Sequence, residues 1–369
     1  MTDIKYWAAF SCIPNLGTVR FRLLERYFGS LEQAWIAGLG EFKAAGLDDK
    51  TARAIISHRA GISPDGEMEK LERAGVKVLN WHHQTYPPRL KEIHDPPPIL
   101  YVRGEILPED ERSVAVVGTR KATAYGREAA SNLAHDLARN GITIVSGLAR
   151  GIDSVAHRAA LDARGRTIAV FGSGLDIVYP PEHSKLAHEI GESGVLVSEY
   201  PLGTRPKADH FPLRNRLISG MTLGTLVVEA GETSGALLTV RWALEQDREV
   251  FCVPGSIFSP ASRGTNALIQ QGAKLVLDYK DILEELNLTV VAHQIEMRGI
   301  IQPQDDTESL LFNHITHEPI HIDDIRRQSQ LPITVVSSTL AMMELKGLIK
   351  QVGSMHYIRV REVVAGYGS

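Results

Sequence analysis

From Ser113 to about Asn287 the chain alternates short apolar runs with stretches of helical spacing. The runs are Ser113 to Val117, Ile142 to Val145, Thr167 to Phe171, Val195 to Val197, Thr225 to Val228 and Glu249 to Val253. That alternation predicts an α/β domain built on a doubly wound parallel sheet. The first intervening helix illustrates it: Ala129, Leu133, Ala134, Leu137 and Ala138 form one apolar stripe, and Gly141 follows as a C-terminal stop.

Upstream the pattern differs. Residues 1–75 read as short helices broken by Leu16-Gly17, Phe28-Gly29-Ser30, Gly38-Leu39-Gly40 and Ala45-Gly46-Leu47, with Val19, Leu23, Leu24 and Tyr27 at helical spacing. At Val76, Val78 and Leu79 the period becomes that of a strand, and Tyr86-Pro87-Pro88 and Asp95 to Pro98 read as rigid connectors, so a second domain is expected over 76–290. A linker follows over 291–306, marked by Gln302-Pro303-Gln304-Asp305-Asp306. The last unit, 307–361, shows three apolar helical patterns and a hairpin around Gly353-Ser354, which describes a winged helix.

Length and composition narrow the choices. At roughly 150 residues per domain, 369 residues make about 2.5 domains. With 40 basic and 44 acidic side chains the net charge is -4, so any nucleic-acid site must concentrate its positive charge in one groove against a weakly repulsive overall field. Cys12 and Cys252 are far apart and lack metal-ligand spacing, and no run approaches the roughly 20 apolar residues of a membrane helix. A cytoplasmic protein with neither disulfide nor metal site is expected.

In doubly wound sheets ligands bind beyond the C-terminal strand ends, and three such loops carry candidate chemistry. After the first run stand Gly118, Thr119, Arg120 and Lys121: a close backbone approach, a hydroxyl and two cations suited to phosphate, or a plain turn with solvated basic residues. After the second, Ser146-Gly147-Leu148-Ala149-Arg150-Gly151 can aim backbone amides at an anion, although it matches neither G-x-G-x-x-G nor a P-loop; a glycine-dependent tight turn explains it equally. Asp153 and His157 are spaced as metal ligands but lack a third, which favours local hydrogen bonds.

After the fourth run, Tyr200 to Arg216 gathers Arg205, Lys207, Phe211, Arg214, Asn215 and Arg216. An aromatic face that stacks on an unpaired base, with cations on the flanking phosphates, is how single strands are held. Alternatively Phe211 plugs the core while Arg214 and Arg216 form ion pairs. Later loops, Glu229 to Gly235, Pro254-Gly255-Ser256 and Gly264-Thr265-Asn266, are expected along the same crevice, with Ser234 capping the helix through Leu244.

The blocks VGTRKATAYG, SGLARGIDSVAHRAAL, FGSGLDIVYPPEH, SEYPLG, HFPLRNRLISG, VVEAGETSGALLT, VFCVPGSIFSPASRGTN and LIQQGA, in that order from about Tyr86 to Leu286, resemble the DNA-processing protein A (DprA/Smf) family. The resemblance implies an extended Rossmann-like domain that binds single-stranded DNA and forms homodimers. It also implies a protein that protects incoming strands and helps load RecA recombinase in natural transformation, without cutting DNA and without a cofactor. Its G-[ST]-R motif falls on Gly118, Thr119 and Arg120, and its F-P-x-R-N-R motif on Phe211, Pro212, Arg214, Asn215 and Arg216. Lys207 takes the place of the basic residue before the phenylalanine, with Ala208 and Asp209 intervening. The N-terminal helices resemble a SAM-like, helix-hairpin-helix module, which serves DNA phosphates or protein surfaces. The winged-helix segment Thr334 to Lys346 has no arginine and one lysine, which argues against strong major-groove reading.

Two rival classes remain. Phosphoribohydrolases of the lysine-decarboxylase-like fold use P-G-G-x-G-T-x-x-E, and in register with that motif Ala236 occupies the glutamate position, leaving Glu229 or Glu232 as substitutes. A nucleotide-sensing regulator, reporting through the winged helix, is the other.

Overall fold

The computed structural model describes residues 4–288, 305–316, 319–345, 348–352 and 355–359. Contacts divide the chain into two compact units, Met1–Ala292 and His293–Ser369. All but the end of the expected 291–306 linker, and the hairpin turn at Gly353-Ser354, lie outside the described residues.

Among the described residues the first unit holds nine strands: β1 (Lys77–Asn80), β2 (Ile99–Gly104), β3 (Ser113–Val117), β4 (Thr143–Ser146), β5 (Thr167–Phe171), β6 (Val195–Ser198), β7 (Gly224–Val227), β8 (Glu249–Cys252) and β9 (Lys274–Leu275). They form one sheet in the order β1-β2-β6-β5-β4-β3-β7-β8-β9. From β6 to β9 every pairing is parallel, whereas β2 runs antiparallel to β6 and β1 antiparallel to β2. All six apolar runs became strands. The sequence reading missed β2, which emerges directly from the Pro96–Pro98 connector, and β9, whose two residues carry no periodicity.

Because side chains alternate across a strand, each strand except the exposed β9 supplies two cores. Val114 and Val116 pack with Leu133, Leu137 and Ile152 of the helices Ala124–Arg139 and Ile152–Asp162. Ala115 and Val117 face the opposite layer with Leu217 and Val240 of the helices His210–Gly220 and Ala236–Glu245. Six helices between Ile4 and Arg73 share a continuous apolar cluster with Ile99, Tyr101, Ala169, Phe171 and Leu196. Within the helix Thr18–Phe28 the buried positions are Thr18, Phe21 and Leu24, so the expected face is rotated: Val19 and Tyr27 point to solvent.

The chain runs β3-β4-β5-β6 in one direction and then returns to place β7 on the other side of β3. The switch in strand order therefore lies between β3 and β7, and a crevice opens above it.

The second unit is a winged helix. Helices Asp306–His314, Ile322–Ser329 and Ile333–Leu345 surround Leu311, Ile325, Val336, Leu340 and Met343, beside a sheet ordered β10 (Ile320–His321), β12 (His356–Arg359), β11 (Ile349–Gln351).

Candidate nucleic-acid interface

A cavity of about 780 Å³ lies at the switch point, lined by the loop after β3, the loop after β7 and the start of the helix His210–Gly220. Gly118, Thr119, Arg120, Lys121, Lys207, Phe211, Arg214 and Asn215 all border it. Residues nearly a hundred positions apart in sequence thus meet on one face.

Phe211 is its centre. The half-buried ring rests on Gly172, where even a methyl group would stand 2.9 Å from Cδ1. The Arg120 guanidinium lies 5.7 Å from the ring centroid and that of Arg214 6.0 Å, while the Tyr179 ring is centred 5.4 Å away. An aromatic surface between two cations suits a base together with its flanking phosphates.

The two cations differ in freedom. Arg214 is buried and donates from Nη1 to the Gly147 carbonyl at 2.8 Å and to the Val170 carbonyl. Burial pushes its pKa down to about 10, against the pull of Asp153, so it stays charged at neutral pH. Gly147 leaves room for this guanidinium: a Cβ there would lie 2.5 Å from Nη2. Arg120 is exposed and forms no ion pair among the described residues, and the same holds for Lys121 and Lys207 on the rim.

The loop carrying Arg120 is stitched in place by backbone. Thr119 donates its amide to the Glu229 carbonyl at 2.7 Å and accepts from the Ile152 amide at 3.3 Å. Gly151 makes this possible with a φ of 79°, since a Cβ there would stand 2.3 Å from the Thr119 carbonyl oxygen.

Three expectations need correction. Arg216 does not join the cavity: it is buried elsewhere and holds the Glu199 carboxylate with two bonds of 2.8 and 2.7 Å and the Asp95 carbonyl at 3.1 Å. Ser146 is buried and donates to the Val116 carbonyl at 2.6 Å. The amide cradle at Gly147 to Gly151 is closed from within, because the Asp153 carboxylate accepts from the Gly147 amide at 3.1 Å and the Ala149 amide at 3.4 Å. Burial raises the Asp153 pKa, opposed by Arg214 and those amides.

Local hydrogen bonds account for the other polar residues. His157 bonds Thr167 through Nδ1 at 2.6 Å. Glu229 is buried and accepts from the Thr123 amide at 2.9 Å and its hydroxyl at 2.6 Å, which fixes the start of the helix Ala124–Arg139. Ala236 borders the cavity, and the Ser234 hydroxyl accepts its amide at 3.3 Å, with Gly235 rather than Ser234 at the N-cap. The sequence analysis does not single out Tyr179, although an aromatic residue directly ahead of Pro180-Pro181, in a loop after a predicted strand, is a usable signal.

Comparison with known proteins agrees with this architecture. The profile of the family described as DNA recombination-mediator protein A matches residues 77–287, and that of the DprA winged helix domain matches residues 299–354. Protein Smf of Escherichia coli is 40% identical over 98% of this chain and 97% of its own length; Protein Smf of Synechocystis is 34% identical over 97% and 99%. The X-ray structure of DNA processing protein A from Streptococcus pneumoniae superposes with a TM-score of 0.67 at 35% identity, covering 76% of this chain and 97% of that one. A DNA processing protein A from Helicobacter pylori, whose structure is described for its single-stranded DNA binding mode, gives 0.52 at 31% identity, covering 57% and 95%. With sheet, winged helix and relatives matching across nearly the whole length, the chain belongs to the DNA recombination-mediator protein A family.

Proposed function

We propose that this protein binds single-stranded DNA across the cavity between β3 and β7, stacking a base on Phe211 while Arg120, Lys121 and Lys207 take the adjoining phosphates. The observation that carries this reading is the half-buried Phe211 ring between the guanidinium groups of Arg120 and Arg214, with Arg120 free of any ion pair among the described residues. The Helicobacter pylori relative, described for single-stranded DNA binding, supports the same partner. Duplex DNA buries its base faces and cannot offer one to Phe211.

Family membership supports the wider role: a homodimer in the cytoplasm that protects single strands and helps load RecA recombinase during DNA processing and natural transformation. The organisation proposed with it is a SAM-like helical domain over 1–75, an extended Rossmann-like domain over 76–290 and a winged helix over 307–361. We assign no catalysis. The acid that a phosphoribohydrolase would need is replaced by Ala236, and Glu229 is buried against Thr123.

Titration with oligo-dT of increasing length at two salt concentrations, beside duplex of equal length, tests the reading. Tight, salt-dependent binding of the single strand and weak binding of duplex are expected. Equal affinity for both would overturn it, as would release of free base from nucleoside monophosphates.

A further inference from the structure

Helix starts beyond β3 and β4 are where parallel α/β folds ordinarily hold a nucleotide phosphate on free amides. Here the chain's own carboxylates already take amides at both places, the N-cap Thr123 amide after β3 and the Gly147 and Ala149 loop amides after β4, while the first helical amide, Ile152, is on the Thr119 carbonyl. Asp153, 7% exposed, takes the Gly147 and Ala149 amides and faces the Arg214 guanidinium. Glu229, 1% exposed, takes the Thr123 amide and hydroxyl and packs so closely on Gly126 that a Cβ there would lie 2.3 Å from Oε2. The next helix start, at Ala236, has its amide on the Ser234 hydroxyl. Arg214 is likewise engaged, by the Gly147 and Val170 carbonyls. What remains for a phosphate is side-chain charge spread along the rim at Arg120, Lys121 and Lys207.

We infer that Asp153 and Glu229 are built-in anions that close the mononucleotide phosphate sites and make the cavity selective for a phosphodiester strand over free nucleotides. The inference rests on the single-strand reading above and names the selectivity of that site. A nucleoside monophosphate concentrates its charge on one group, which in this cavity meets occupied amides and the fixed Asp153 carboxylate. A strand distributes its charge over several rim cations and releases counterions at each. Its second contact is then intramolecular and gains from effective concentration.

The test uses the full chain with labelled oligo-dT, and dTMP or inorganic phosphate as competitor. For the wild type, millimolar dTMP should displace no more oligo-dT than chloride at matched ionic strength. Asp153→Ala strips the anion from the Gly147 and Ala149 amides and from Arg214. Its Tm should rise with phosphate concentration beyond the chloride control, as binding to the folded state requires, and dTMP should compete at least about tenfold more effectively than against wild type. If that variant fails to fold, Asp153→Asn should show the same phosphate response at smaller amplitude. Displacement of wild-type complex by dTMP beyond the salt control would refute the inference, and so would a folded Asp153 variant indifferent to phosphate. A wild type that ignores oligo-dT altogether would instead defeat the single-strand reading, while the phosphate response of Asp153→Ala would still stand or fall by itself.

Discussion

Arg214 and Arg216, two residues apart on one helix, point to opposed destinations: Arg214 lies beneath Phe211 at the cavity, and Arg216 grips Glu199 and Asp95 on another side. At about 100° per residue the two side chains leave the helix roughly 200° apart, so a basic cluster in sequence becomes one site residue and one structural ion pair.

Removing one partner of the Arg216–Glu199 pair strands a buried charge. Arg216→Ala is expected to cost about 3–5 kcal/mol of stability, read from urea midpoints. The slope of log affinity against log salt should stay at its wild-type value when measured where the variant is folded. A slope reduced by a full phosphate contact would return Arg216 to the DNA site.

Arg120 carries the opposite expectation. Its exposed guanidinium lies over the Phe211 ring and forms no ion pair among the described residues, so Arg120→Ala should leave stability within about 0.5 kcal/mol. Oligo-dT binding should weaken by about 1.5–3 kcal/mol, and the salt slope should fall by about 0.7, the value for one phosphate of a single strand. Arg120→Lys should restore the slope. An unaltered slope in the alanine variant removes Arg120 from the interface.

For Phe211 the signature reverses again. Phe211→Ala is expected to lose about 1–3 kcal/mol of single-strand affinity with the salt slope intact, because no phosphate contact is deleted. Phe211→Trp should retain most of the binding. A folded alanine variant with native affinity would make the ring a packing element only.

Acid should destabilise the protein through His157. Burial, reinforced by Arg214, pushes its pKa down to about 3, whereas the unfolded chain titrates near the ordinary 6.5. The unfolded state therefore takes up the proton first on acidification. Stability is complete above about pH 6.5 and falls as pH drops toward 3, by at most about 1.4 kcal/mol per pH unit for this group. Asp153 acts in the other direction, since its folded pKa is raised and acidification restores part of the lost stability. The informative quantity is thus the difference between wild type and His157→Asn: urea midpoints at pH 7 and pH 5 should diverge less in the variant. Equal divergence would show that another group governs the acid limb.

The alternation of apolar runs with helical spacing located every strand of the parallel sheet except β9, because burying both faces forces Val, Ile and Leu into short continuous segments. The strand-end blocks likewise sufficed to place Gly118 to Lys121 and Lys207 to Asn215 near one another, since parallel topology carries all C-terminal ends to one edge. Local pattern failed where it is silent. The strand β2 hides behind prolines, and the face of Thr18–Phe28 is chosen by what packs on it, not by the spacing of its apolar residues.

Polar partnerships lay beyond the sequence for the same reason. Whether glycine-flanked amides at Gly147 and Ala149 await a phosphate or already hold Asp153, and whether Arg216 meets a strand or Glu199, depends on distances between segments far apart in the chain. Sequence fixes which residues can be charged and which loops share an edge. Only the packed structure assigns each charge its partner, because desolvation makes every buried ion bind the nearest counter-group and leaves Arg120, Lys121 and Lys207, held in water, available to something else.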